Sequence, residues 1–172
     1  MNQQLTGQNK KQWDEWLLLC KRIHEGNAPL PDETETEKQK RIEYLLKPGN
    51  YQEFINFYFG AEGDLAPIGW FHKKAVKDIL YDKTRNNILE WPRETAKSVT
   101  VNVFFTFYLL VTDWLTGVIL ASETEDKAKK LIGDLEAQLS HNRRIINDFG
   151  DFGISGSWSS GYWNTIFGLP VS

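Results

Sequence analysis

Cysteine, histidine and net charge are scarce in this sequence, and each scarcity removes a class of function. Cys20 stands alone, so no intrachain disulfide can form, and a reducing cytoplasm is the natural compartment. His24, His72 and His141 are scattered, and Cys20 is far from all but one of them, so no full ligand set at metal-binding spacing exists, which argues against a zinc site. The net charge of −3 over 172 residues provides no global basic field, so any nucleic-acid contact must come from local patches. Met1 to Gln12 is polar and lacks the apolar centre of a signal peptide. Long apolar runs are also rare. Only Val99 to Ala121 approaches membrane-spanning length, and Asn102 and Asp113 lie inside it. An Asp at mid-membrane costs several kcal/mol, so the run reads as two consecutive buried elements. Internal repeats are absent.

What is present is aromatic bulk, including seven Trp, whose commonest use is packing. The length suits one ordinary domain, or a helical unit joined to part of a larger one. Gln8 to His24 predicts an amphipathic helix with Trp13, Trp16, Leu17, Cys20 and Ile23 on one face, ended by Gly26, Pro29 and Pro31. The acidic run Asp32 to Glu37 reads as solvated and leads into a helix carrying Ile42, Leu45 and Leu46. Pro48-Gly49-Asn50 is a turn signal, Tyr51 to Phe59 a short aromatic helix, and Gly60 to Gly69 a loop. Phe71 to Asp82 is a further helix pattern, broken at Asn86-Asn87.

The second half then reads as strand, loop, helix, strand, helix. Ile88 to Trp91 is a strand candidate, stopped by Pro92. Lys97 to Val111 is an apolar helix, and Thr116 to Ala121 a buried strand. Ser122-Glu123-Thr124 caps a helix over Glu125 to Leu139, with Ala128, Leu131, Ile132, Leu135 and Leu139 on one face. This βαβα order predicts a parallel sheet with crossover helices. From Phe149 the chain turns rich in Gly and Ser around Trp158, Tyr162 and Trp163, with room for short strands whose positions the pattern leaves open.

The chemistry concentrates between the first strand and its helix. A phosphate cradle needs inward backbone N–H groups, a helix N-terminus behind them, and a lysine reaching the β- and γ-phosphates. A hydroxyl after the lysine holds magnesium; the usual spacing is Gly, four residues, Gly, Lys, then Ser or Thr. Here that spacing gives Trp91, four residues, Ala96, Lys97 and Ser98, with both glycines replaced. Arg93 lies inside the loop, where a guanidinium can touch a γ-phosphate. The plainer reading is a β–α turn with a surface Lys and a Ser near the helix cap.

Trp-Pro-Arg-Glu-Thr-Ala-Lys-Ser at 91–98 resembles the variant Walker A loops of phage terminase large subunits. Gly117-Val-Ile-Leu-Ala-Ser-Glu-Thr-Glu-Asp-Lys-Ala at 117–128 is similar to that family's strand ending in Ser before an acidic helix start. Leu135 to Gly150, with Asn142, Arg143, Ile146, Asp148 and Phe149-Gly150, resembles the stretch that follows. The resemblance covers roughly residues 70 to 170, and it implies a fold, an activity and roles for individual residues. The fold is α/β: a helical lead-in over 1–70, then over 71–172 a partial P-loop NTPase (RecA-like) βαβα core with an incomplete parallel sheet. The activity is an ATPase driving double-stranded DNA into a procapsid in the host cytoplasm, with portal protein and terminase small subunit as partners and no membrane. Lys97 would hold the β/γ-phosphates of ATP, Ser98 the Mg2+ ion, and Arg93 would act in cis on the γ-phosphate. Backbone amides of Glu94, Thr95, Ala96 and Lys97 would line the pocket, with Trp70, Phe71 and His72 near the adenine. No Walker B acids or nuclease aspartates occur before Ser172, which predicts weak or absent hydrolysis by this chain alone. An incomplete sheet would also expose an apolar edge and favour self-association into homo-oligomers.

Weaker signals have blander explanations. Asp148 and Asp151 flank Phe149-Gly150 and read as a polar turn before they read as paired carboxylates. Asp151-Phe152-Gly153 matches the kinase magnesium motif, but the rest of the kinase set is missing. Lys127, Lys129, Lys130, Arg143 and Arg144 form a basic patch that is either a solvated helix face or a salt-sensitive DNA contact. Three functional readings remain: a nucleotide-binding terminase portion, a non-enzymatic helical interaction module with an inert loop, and a single-pass membrane protein spanning 99–121.

Overall fold

The computed structural model describes residues 7–60, 68–81, 87–92, 96–112, 114–115, 118–152, 154–155, 163–165 and 170–171. Helix α1 (Gly7–Gly26) buries Cys20 and Ile23, with Trp16 and Leu19 beside them, because these positions recur on one helical face. Helix α2 (Glu35–Leu45) begins at a reciprocal cap. The Thr34 hydroxyl accepts the Glu37 N–H at 3.3 Å, and the Glu37 carboxylate accepts the Thr34 N–H at 3.0 Å. Part of the acidic run is therefore a helix start. A 3-10 turn (Pro48–Asn50) feeds directly into α3 (Tyr51–Phe59).

Helix α4 (Trp70–Tyr81) is followed by the segment 87–92. Helix α5 (Lys97–Val99) continues through a π-helical stretch, Thr100–Phe105, into α6 (Thr106–Val111), so one unbroken rod runs from Lys97 to Val111. Helix α7 (Glu125–His141) is capped by Thr124, as expected, and carries Ile132, Leu135, Ala137 and Leu139 inward. Asn142 separates α7 from α8 (Arg143–Phe149). Its Oδ1 accepts the Arg144 and Ile145 N–H groups, and its Nδ2 donates to the Tyr58 carbonyl at 2.7 Å.

The core is aromatic and lies between α3, α6, α7 and α8. Phe54, Tyr58, Phe107 and Tyr108 are fully buried, together with Leu135, Leu139 and Ile145. The Phe54 and Tyr108 rings meet edge to face at 5.0 Å, a favoured geometry for aromatic pairs. A smaller cluster of Cys20, Ile23 and Ala137 joins α1 to α7.

The expected α/β architecture is corrected here. The fold is helical, and among the described residues its only sheet is a small antiparallel one. That sheet has three strands, β1 (Ile154–Ser155), β2 (Trp163–Thr165) and β3 (Pro170–Val171), in the order β1-β2-β3. The partial RecA-like core and its parallel sheet are absent from the described residues. Residues 88–91 form neither helix nor strand, and Ile88 is 88% exposed. Of the second expected strand, Thr116 and Gly117 lie outside the described residues, and Ile119 is 84% exposed rather than buried. The reason is competition for apolar surface. The rod from Lys97 to Val111 buries Phe105, Phe107, Tyr108 and Leu110 against other helices, leaving no sheet face to cover. Pro92 also removes a ladder donor at the end of the first candidate. Among the described residues no helix is long and apolar enough to cross a membrane.

Candidate functional site

The segment before the phosphate-loop candidate folds back onto the start of α4. Trp91 meets the His72 ring edge to face at 4.6 Å and the Phe71 ring at 5.6 Å. Phe71 and His72 are 4.2 Å apart, and Trp70 touches Phe71 at 6.0 Å. The turn into α4 fixes this cluster. The Gly69 N–H donates to His72 Nδ1 at 3.1 Å, and the Gly69 carbonyl accepts from the His72 and Lys73 amides. A Cβ at Gly69 would lie 2.7 Å from the Phe71 ring, so the ring's position depends on glycine there.

This cluster borders an open cleft of about 570 Å3 between α4 and residues 88–91. Trp70, Phe71, Lys74 and Asp78 form one wall, and Ile88 to Trp91 form the other. Lys74 and Asp78 form an ion pair along the helix. The volume falls within the range of small-molecule sites. Trp70 is 76% exposed, so its ring is available to a flat ligand.

Arg93, Glu94 and Thr95 lie outside the described residues. Chain description resumes at Ala96, which takes the left-handed conformation at φ 53°, ψ 27°. Glycine adopts this region freely, whereas an alanine held there costs about 1 kcal/mol. The Walker A pattern has its second glycine at this position. The Ala96 carbonyl then accepts the Thr100 N–H at 2.9 Å and starts the rod. Among the described residues no side chain caps this start, and its leading N–H groups are open to solvent. Lys97 and Ser98 are both exposed there. They do not line the aromatic cleft among the described residues. The π-helical stretch begins two residues after Ser98, and Thr106 Oγ1 donates to the Val101 carbonyl at 2.9 Å within it. Such stretches are frequent at functional sites.

Other sequence candidates resolve into structure. The Asp148 side chain is 1% exposed. It accepts from Arg41 at 2.6 and 3.0 Å and from the Tyr58 hydroxyl at 2.7 Å. Arg41 also binds Glu33 through two contacts of 2.6 and 2.7 Å and lies 4.3 Å over the Phe57 ring. Pairing with Glu33, and then with Asp148, drives the Arg41 pKa upward, so the guanidinium stays charged. Burial, and then the neighbouring Asp148, push the Tyr58 hydroxyl well above its ordinary pKa. This clamp ties α2 and α3 to α8. The sequence reading missed it, although Thr34-x-x-Glu37 marked the helix start that positions Arg41.

Three members of the basic patch are engaged elsewhere. Lys127 pairs with Glu123, Lys129 pairs with Glu125 at 2.6 Å, and Arg144 donates to the Ala28 and Phe57 carbonyls. Phe152 of Asp-Phe-Gly is buried, 6.2 Å from Phe107, while Gly153 lies outside the described residues. Trp158 and Tyr162 also lie outside them. Cys20 is buried, and desolvation followed by the charge of Glu136 pushes its thiol up to about 11. No group of three or more His, Cys, Asp or Glu residues able to hold a metal exists among the described residues.

No protein-family model matches this chain, and neither a curated protein nor a solved structure matches it.

Proposed function

We propose that the chain binds magnesium–ATP at residues 91–98, as the ATP-binding portion of a DNA-packaging terminase large subunit. The observation that carries this reading is the head of the rod. Ala96 holds the left-handed conformation at a glycine position of the loop pattern, and Lys97 and Ser98 stand exposed on the uncapped helix start behind it. The leading N–H groups and the positive end of the helix dipole favour phosphate oxygens there. Lys97 supplies charge to the β- and γ-phosphates, and Ser98 a hydroxyl to the metal. The cluster of Phe71, His72 and Trp91 supports the reading independently, because it brings the proposed base-contacting residues against the residue that opens the loop. The role proposed for Arg93, and the amides of Glu94 and Thr95, follow from the resemblance alone. So do the host cytoplasm and the partners: double-stranded DNA, portal protein and the terminase small subunit. The proposal covers binding and not turnover.

Calorimetric titration with magnesium–ATP tests it. The native chain is expected to bind, and Lys97→Ala to bind at least about tenfold more weakly, as removal of a charged hydrogen-bond donor predicts. Equal binding by the two, or none by either, removes the reading.

A helical interaction module is the second reading, and a specific observation favours it. Trp13, Leu17 and Leu18 on α1 are 51%, 45% and 54% exposed, although α1 already packs on α7 through Trp16, Cys20 and Ile23. Loss of the nucleotide reading with the fold intact would leave this one standing.

A further inference from the structure

Helix α4 is a wall shared by two clefts. Its Trp70, Phe71 and Lys74 side faces residues 88–91, while Lys73, Val76, Lys77 and Leu80 line a separate cavity of about 630 Å3 on the other side. The opposite wall of that second cavity is the turn at Pro48 and the first turn of α3. From this geometry we propose that the second cavity is a binding site for a small amphipathic anion, a flat apolar body carrying a carboxylate or phosphate. The proposal does not depend on nucleotide binding at residues 91–98.

The apolar part of the ligand is set by the floor. Tyr51 and Val76 are 3% and 5% exposed, with Leu80 and Pro48 beside them, so a ring placed there leaves water for a packed surface. The buried Tyr51 hydroxyl has no hydrogen-bond partner among the described residues, an uncommon state for a buried polar atom. The charged part is set by the rim. Lys73 and Lys77 lie one helical turn apart and are both exposed. Neither makes an ion pair among the described residues; Lys10, Lys40, Lys47, Lys97 and Lys130 share that state, but only Lys73 and Lys77 line this cavity. Two unpaired ammonium groups at the mouth of an apolar cavity favour an anionic head. Glu53 lies on the facing wall, so the proposed anionic head sits toward the lysines of α4. The wall itself is held in place: the Gln52 side-chain Oε1 accepts the Ile68 N–H, and its Nε2 donates to Asn56 Oδ1, each at 3.0 Å.

The test is an amide NMR titration of the full chain, without nucleotide, using three isosteric probes: 2-naphthylacetate, the matching alcohol and the matching amine. The expected result is shifts confined to residues 48–53 and 73–81, with the anion tightest and the amine at least about fivefold weaker, the scale of two exposed charge contacts. Lys73→Gln with Lys77→Gln should reduce the anion's affinity to that of the alcohol, while Lys97→Ala should leave it unchanged. Equal affinity for the three probes, shifts centred on Trp70 and Ile88, no binding, or indifference to the double substitution would each overturn the proposal.

Discussion

Two regions of this molecule treat polar groups in opposite ways. In the clamp around Arg41, each charge has its partner: Glu33 and Asp148 on the guanidinium, Tyr58 on Asp148, and Phe57 stacked beneath. Around residues 87–98 the helix start is uncapped, Lys97 and Ser98 are exposed, and Ile88 and Trp70 stand in water. A satisfied network rigidifies the fold and leaves nothing for a ligand. An exposed helix start is satisfied by water and is free to exchange that water for the oxygens of a ligand. The comparison separates perturbations that unfold the protein from those that leave the fold and alter binding.

The largest effect should come from the core. Phe54→Ala removes a ring with 0% exposure that touches Tyr51, Tyr58, Phe107 and Tyr108. It should cost about 3–5 kcal/mol in urea unfolding. Asp148→Ala comes next, at about 3 kcal/mol, because it removes one of the two carboxylates on a largely buried guanidinium and leaves the Tyr58 hydroxyl without its acceptor. A loss below about 1 kcal/mol for Asp148→Ala would show that the clamp is not structural. Lys97→Ala, by contrast, should leave the unfolding midpoint unchanged while weakening magnesium–ATP binding.

A smaller effect sits at the α1–α7 interface. Burial pushes the Glu136 carboxyl up to about 7. Its folded pKa lies above its unfolded value, so its contribution to stability is full at acid pH and is lost as pH rises through about 7. Glu136→Gln should therefore stabilise the protein at pH 8, by about 1 kcal/mol after solvent screening, with little effect at pH 5. His141 runs the other way. Burial, and then His24, lower its pKa, so its contribution is present above the ordinary histidine range and falls away as pH drops. Urea midpoints measured from pH 5 to 8 for the native and Glu136→Gln proteins check both signs. Smallest is Ala96→Gly, which should relieve the left-handed strain and raise stability by about 1 kcal/mol or less without loss of binding.

The helices were legible in the sequence because their signals are local. The face of Trp16, Cys20 and Ile23, the Thr124 cap and the stripe from Ile132 to Leu139 each fall within a few turns of one chain segment. The apolar runs over 88–91 and 116–121 do not pair into the expected parallel sheet, because a short apolar run does not state its partner. Ile88 and Ile119 have the right residue type for a sheet, but the aromatic faces of α3, α6 and α7 satisfy one another first. Of the candidate site, the approach of Trp91 to His72 joins residues 19 positions apart in the chain and has no local signal. The clamp was hidden for the same reason, since Arg41 and Asp148 lie 107 residues apart.

Amide hydrogen exchange with and without magnesium–ATP tests the contrast between the two regions most directly. The account predicts added protection at residues 96–100, and a smaller gain at 70–72 and 91, with the amides of α2 and α8 unchanged. Protection spread evenly over the clamp and the loop, or none at 96–100, would contradict it.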